Sequence, residues 1–282
     1  MGKNEYTDEE LKHLHEELYN ILKEIIRVCD TLNIPYFIQG GSAIGAFFEQ
    51  SILPWDDDID VGLTRENYKI FLKKAPEILG KEYFLQWEET DPHTPFYFAK
   101  VRKNKTKFVE ENFANLDMHQ GIYIDVFPYD KVPDNIRIQK IHRTLSNFFN
   151  CCFMGKEIWM WKHCGKCEIE NPTNRGFIPC LLTRIVCSLF SKNTIYRMLS
   201  ATQAMFNNKK TVYYNMVLMP KDHISVKSIE NLQTVKFGPL MVKAPDDLET
   251  YLRHHYKNLR RYIPKEEQQN HRPIELSFDT DK

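Results

Sequence analysis

Apolar positions near the start of the chain recur at two different periods. Leu11, Leu14, Leu18, Ile21, Ile25, Val28 and Leu32 return every three or four residues, the spacing of one buried helical face. Thr7 and Glu10 make a capping box in front of that run, so a long helix is expected from there to Leu32. The apolar stretch 35–39 reads as a strand, broken at Gly40-Gly41-Ser42, with a helix expected over 43–50. A second strand is expected over 57–63. Thr64 then caps a helix to Leu79 whose Tyr68, Phe71, Leu72 and Ala75 share one face. Alternating runs at 83–88, 96–102 and 121–127 predict three further strands.

Past Pro133 the pattern turns helical, from Asn135 to about Asn207, with interruptions at Asn171-Pro172 and Ile178-Pro179. A hairpin is expected over 234–243 around Gly238-Pro239, and Pro245 stands where the first position of a last helix would be. Strands mixed with helices first, and mainly helices afterwards, predict an α+β (mixed α/β) fold. Its core would occupy 1–133, and a mainly helical part over 134–282 would complete the cleft within one integrated domain.

Composition narrows the function classes. Lys+Arg and Asp+Glu both number 38, so the formal charge is zero and the basic surplus of a nucleic-acid binder is missing. No stretch approaches the roughly 20 apolar residues of a membrane span. The opening MGKNEYTDEE lacks the apolar run of a signal peptide, and the 7 cysteines are an odd number. Both point to a cytoplasmic protein with reduced thiols.

Three elements carry candidate chemistry. In Pro54-Trp-Asp-Asp-Asp-Ile-Asp-Val-Gly62, extended backbone puts Asp56, Asp58 and Asp60 on one face and Asp57 with Ile59 on the other. Two carboxylates ~4 Å apart repel by about 4 kcal/mol at an effective dielectric of ~20. Such a cluster calls for protons, water or an oxygen-seeking cation such as Mg²⁺ or Mn²⁺. An acidic surface turn is the plainer alternative, but the interleaved Ile59 and Val61 fit it poorly. Gly40-Gly41-Ser42, between a strand and a helix, would turn backbone N–H groups and a hydroxyl outward in a way that suits a phosphate. In Gly121-Ile-Tyr-Ile-Asp-Val-Phe127, Asp125 lies among apolar neighbours, where it needs a salt bridge or a metal.

These elements, in this order, resemble the nucleotidyltransferase fold and more narrowly the LicD family, which includes fukutin-like proteins. The resemblance rests on GGSAIGAFFEQSILPWDDDIDVG, FYFAKVRKNKT, GIYIDVFPYD and the looser YLRHHYKNLRRYIP with Asn270-His271. Tyr-Lys-Asn at 256–258 departs from the family's usual Tyr-Gly-Asp. The resemblance implies a small mixed sheet flanked by helices, with Asp58 and Asp60 as a metal-binding pair and Asp125 as the third catalytic carboxylate. Asp56 is a further acidic position of the same block. Gly40, Gly41 and Ser42 would form the donor-phosphate turn, and Lys100 and Arg102 could neutralise phosphate oxygens. An exposed strand edge carrying charges is the alternative for that basic pair.

The activity implied is transfer of a phospho-alcohol group, such as phosphocholine, from a CDP-linked donor to a glycan hydroxyl, with CMP released. The acceptor would belong to a cell-surface glycan (lipopolysaccharide, teichoic acid or capsule), often lipid-linked at the inner face of the membrane. Nucleotidyl transfer with loss of pyrophosphate and a non-catalytic nucleotide-binding module are the competing readings. A quaternary ammonium would call for aromatic neighbours, for which Trp55, Trp87, Tyr97 and Tyr123 are candidates. Four cysteines, Cys151, Cys152, Cys164 and Cys167, could hold structural zinc or serve as small core residues. The basic run Arg253–Arg261 and His271 could face the cleft or solvent. Residues 178–190, apolar apart from Arg184, could lie at a membrane interface or pack in the core.

Overall fold

The computed structural model describes residues 6–162, 177–219, 223–256, 258–268 and 270–281. Helix α1 (Asp8–Leu32) starts at the expected capping box: the Glu10 N–H donates to Thr7 Oγ1 at 3.1 Å and the Thr7 N–H to Glu10 Oε2 at 2.9 Å. Strand β1 (Phe37–Ile38) leads into α2 (Gly40–Phe48), which begins at the glycine pair itself rather than at Ala43. Strand β2 (Asp60–Thr64) begins later than the alternation predicts, so Asp56–Ile59 form a lead-in outside the ladder. Thr64 does precede α3 (Arg65–Ile78), without a side-chain cap bond. Strands β3 (Tyr83–Gln86), β4 (Ala99–Lys103), β5 (Lys107–Val109) and β6 (Tyr123–Val132) follow.

The second half contains α4 (Ile136–Lys162), α5 (Phe177–Leu189) and α6 (Lys192–Gln203), with α4 packed against both of the others. Strands β7 (Tyr213–Asn215) and β8 (His223–Ser225), the short helix α7 (Val226–Glu230) and the hairpin β9 (Gln233–Phe237)–β10 (Leu240–Ala244) come next. Helix α8 (Leu248–His255) is capped by Asp247, so Pro245 stands before the cap and not inside the helix. Strand β11 (Glu275–Ser277) closes the chain. Helices outweigh strands here, yet β7, β8 and β11 were not legible as periodic runs because each is only 3 residues long. The Asn171-Pro172 interruption lies outside the described residues.

The sheet runs β1-β2-β6-β4-β3, with β7 on the far part of β6 and β8 beyond it. β2 and β6 are parallel and the other pairs antiparallel, a mixed sheet within an α+β fold. It takes strands from both sides of residue 133, and β11 returns from the C-terminus to pair with β5. Register alternation divides the two faces. Val61, Leu63, Val101, Ile124 and Val126 enter a core shared with Leu18, Ile21 and Ile25 of α1 and Phe71 of α3. On the other face one row crosses the sheet: Asp60 beside Asp125, Asp125 beside Lys100, Lys100 beside Gln86.

Candidate active site

The acidic row is held in place by its apolar neighbours. Ile59 and Val61 are both fully buried, which turns Asp58 and Asp60 away from the core. His15 of α1 pins the lead-in by donating Nε2–H to the Asp56 carbonyl at 2.7 Å. The glycine turn is stitched to the start of β2. The Gln39 N–H donates to the Asp60 carbonyl at 3.2 Å, and the Asp60 N–H donates to Ser42 Oγ at 2.9 Å. The Gly40 N–H donates to the Tyr251 hydroxyl at 3.1 Å. Gly40 adopts φ +57°, and a Cβ there would stand 2.9 Å from Asp60 Oδ2. A Cβ on Gly41 would stand 2.9 Å from Asp56 Oδ2. At Gly40 the left-handed φ and the nearby carboxylate together favour glycine.

Burial and mutual repulsion dominate the electrostatics. Burial first, then the Asp125 charge, pushes Asp58 up to about 6. Asp60 lies well above the usual carboxylate range through burial and the charges of Asp58, Asp125 and Asp56. Asp56 is raised by burial and by Asp58. Burial also raises Asp125, against the pull of Lys100, whose Nζ donates to Asp125 Oδ1 at 2.6 Å. Lys100 is itself buried, which lowers its pKa, and its ammonium lies 3.5 Å from the Tyr123 ring centroid and 4.3 Å from that of Phe96. A second cation approaches from the C-terminal segment. His271 Nδ1 lies 3.5 Å from Asp58 Oδ2, and Asp57 followed by Asp58 raises its imidazole to about 9.

Asp57 faces the opposite way from its neighbours. Its fully buried carboxylate accepts from the Tyr6 hydroxyl at 2.7 Å and from the His271 N–H at 2.8 and 2.9 Å. Lys100 and Arg102 sit on the interior strand β4 and are each only 2% exposed, which overturns the charged-edge alternative. Arg102 donates to Gln86 Oε1 at 2.6 Å and to the Gly121 carbonyl at 2.7 Å, so its guanidinium serves neighbouring protein groups. Ser42 is buried and oriented by the Asp60 amide rather than turned freely outward. The contributions of Tyr6, Asp57 and Tyr251 carry no local sequence signal; each depends on a partner at least 51 residues away.

Other sequence candidates fall elsewhere. Tyr123 lies against Lys100, whereas Trp87 lines a separate cavity of about 580 Å³ with Tyr68 and Tyr196. Arg253, Arg260 and Arg261 pair with Glu249, Glu267 and Glu49 on the surface, while Lys257 lies outside the described residues. Cys152 is buried, and its carbonyl accepts from the Cys187 thiol at 3.3 Å. Cys164 and Cys167, the other pair of the zinc alternative, lie outside the described residues.

Among the described residues, no group of three or more His, Cys, Asp or Glu is arranged as a ready-made metal cage. The donor chemistry still fits a hard divalent cation. Burial raises all four carboxyls of Asp56, Asp58, Asp60 and Asp125, and the charges of their neighbours raise Asp56, Asp58 and Asp60 further, a set that a divalent cation would neutralise. Magnesium sites of this kind take one or two carboxylates and complete their shell with water and substrate phosphate.

Residues 33–155 match the LicD/FKTN/FKRP nucleotidyltransferase domain. Over 270 residues the chain is 25% identical to the lipopolysaccharide cholinephosphotransferase LicD of Haemophilus influenzae, an overlap of 89% of this chain and 92% of the relative. An uncharacterised protein of Rickettsia prowazekii is 29% identical over 116 residues, 40% of this chain and 42% of its own. One from Rickettsia typhi is 35% identical over 60 residues, 21% of this chain and 19% of its own.

Proposed function

The chain belongs to the LicD family, and from that premise we propose that it transfers a phosphocholine-like group from a CDP-linked donor to a hydroxyl of a cell-surface glycan. The observation that carries this reading is the Asp60–Asp125 row, with Asp58 beside it and the Gly40-Gly41 backbone drawn up against the carboxylates. Asp58 and Asp60 hold Mg²⁺ or Mn²⁺, with Asp125 completing the set and Asp56 as a further acid. When bound, the cation offsets negative charge on the donor phosphates and on the departing CMP.

The protein's own groups do the rest. The first turn of α2, at Gly41 and Ser42, presents backbone N–H groups and a helix N-terminus to the donor phosphates. Ser42 Oγ already accepts from the Asp60 amide and keeps its own proton to donate. Lys100 fixes one oxygen of Asp125; the other takes the acceptor hydroxyl's proton as its oxygen bonds to phosphorus and the phosphorus–oxygen bond to CMP breaks. Arg102 supports the wall through Gln86 and Gly121.

The test is incubation with Mg²⁺, a glycan acceptor and a panel of CDP-choline, CDP-ethanolamine and CDP-polyols, with products read by mass spectrometry. CMP plus a phospho-alcohol adduct, lost on chelation and in Asp58→Asn and Asp60→Asn, is expected. With CTP added to the panel, pyrophosphate with a nucleotidyl adduct would overturn the proposal in favour of nucleotidyl transfer, and donor binding without turnover for the whole panel would overturn it in favour of a binding module.

A further inference from the structure

The balanced charge of the whole chain hides an uneven distribution. Residues 135–157 and 177–210 contain 9 Lys and Arg against a single acid, Glu157, which is buried and pairs with Lys192 at 2.9 Å. The same two segments supply 10 of the 17 large apolar side chains that stand exposed among the described residues. A surface that is both cationic and apolar is unusual for a chain of zero net charge.

Helical periodicity organises these residues. On α4, Gln139, His142 and Ser146 turn inward, and the His142 ring bonds the Thr202 carbonyl of the α6 segment at 2.7 Å. The other face of α4 presents Ile138, Ile141 and Leu145, with Ile141 69% exposed. Arg137 and Lys140 are exposed on the same turns. On α5, Thr183 and Cys187 pack towards α4, while Leu182, Ile185 and Leu189 stand outward beside Arg184. Leu189 is 70% exposed. Residues 178–190 therefore divide between the two expectations: one face belongs to a small core around Cys152 and Phe153, and the other is exposed among the described residues.

Charge decides what covers the exposed face. A second copy would bring a like-charged surface against it, which is repulsive. A neutral partner would bury the apolar groups but give the exposed Arg137 and Lys140 no anionic group to meet. An anionic bilayer answers both features, because acyl chains take the aliphatic side chains while phosphate head groups meet Lys and Arg. Among the described residues no helix is long and apolar enough to cross a membrane, so the contact is interfacial. We propose that the outer faces of α4 and α5 form a docking surface for an anionic lipid bilayer. The small core beneath them also packs against Tyr97, in the segment that leads into β4.

The proposal does not depend on the reaction proposed above and is tested without it. The full chain is floated through a density gradient with vesicles of phosphatidylcholine alone or mixed with phosphatidylglycerol. Flotation with the mixed vesicles, weak or absent with the neutral ones and reduced by salt, is expected. The pair Ile141→Glu with Leu189→Glu should lower partitioning by about tenfold or more. Arg137→Gln with Lys140→Gln, which removes no apolar group, should weaken it specifically for anionic vesicles. No flotation with anionic vesicles, or unchanged flotation of both variants with their circular dichroism intact, overturns the proposal. So does light scattering that finds a dimer which the Ile141→Glu, Leu189→Glu pair dissociates, since the face would then belong to a second copy.

Discussion

Lys100 Nζ donates to Asp125 Oδ1 at 2.6 Å across adjacent strands, and the next residue in that row is Asp60. The row thus sets one lysine beside two carboxyl groups on a buried sheet face, where burial raises both acids. Lys100 pulls the Asp125 carboxyl down against the rise that burial imposes, and the rings of Tyr123 and Phe96 hold its ammonium there.

Replacing that lysine should therefore cost more than its own contacts. Lys100→Met leaves Asp125 buried without its partner, a loss of about 3–5 kcal/mol for a broken buried pair. Adding Asp125→Asn removes the stranded charge, so the double variant should recover much of the stability while remaining inactive. Urea denaturation of the two variants checks this. A double variant less stable than Lys100→Met alone would show that the ion pair is not what Lys100 supplies.

Asp58 gives the site a pH signature. Its pKa rises from 3.8 to about 6 on folding, so between those values the native state holds the proton more tightly than the unfolded chain. The sign follows directly: metal-free stability falls as pH rises through this window, and the full penalty is present above about 6. Asp58→Asn should stabilise the metal-free protein at pH 7 by about 1–3 kcal/mol, or several degrees in Tm, and should do little near pH 4. His271 offsets little of this gain because its imidazole is 66% exposed. Scanning calorimetry at both pH values is the measurement; an equal shift at both would mean that the carboxylate charge is not the cause.

Much of this site was legible because Ile59 and Val61 have only one place to go. Their burial sets the alternation, so Asp56, Asp58 and Asp60 could be assigned to one side even though the ladder starts only at Asp60. The capping box of α1 was equally local. What escaped detection depends on sheet order. The alternation of Lys100 and Arg102 is the same on an edge as in the interior, and only the placement of β4 between β6 and β3 buries both. Ser42 was read as facing outward, yet the first N–H of β2 needs an acceptor and takes its hydroxyl. Strand β11 and its partner β5 are each 3 residues long and meet from distant parts of the chain, too short a signal for periodicity to expose.

The two glycines of the turn should respond differently to alanine. At Gly40 the φ of +57° strains any L side chain, by roughly 1–2 kcal/mol, and the new methyl also strikes Asp60 Oδ2. At Gly41 no left-handed φ is required, and the obstacle is the far end of the Asp56 side chain, which can turn aside. Gly40→Ala should thus lose stability and divalent-cation affinity together, while Gly41→Ala should fold almost normally. Thermal melts combined with Mn²⁺ titration by calorimetry distinguish the two; equal losses at both positions would argue against the contacts described.

Asp57 gathers both ends of the chain onto the acidic segment, through the Tyr6 hydroxyl on one side and the His271 N–H on the other. Because its side chain is fully buried, the two donors have no water to turn to when it is removed. Asp57→Ala should cost about 1–3 kcal/mol for each donor left unsatisfied. It should also free the segment that carries His271 to Asp58, with Arg272 and the β11–β5 pairing as the remaining ties. Tyr6→Phe removes only one of the two bonds and leaves the His271 amide in place. Hydrogen exchange separates the cases: the amides of His271 and β11 should exchange faster in Asp57→Ala and stay near wild type in Tyr6→Phe. If exchange there is unchanged in Asp57→Ala, the C-terminal segment is held by β11 alone and His271 does not owe its position to Asp57.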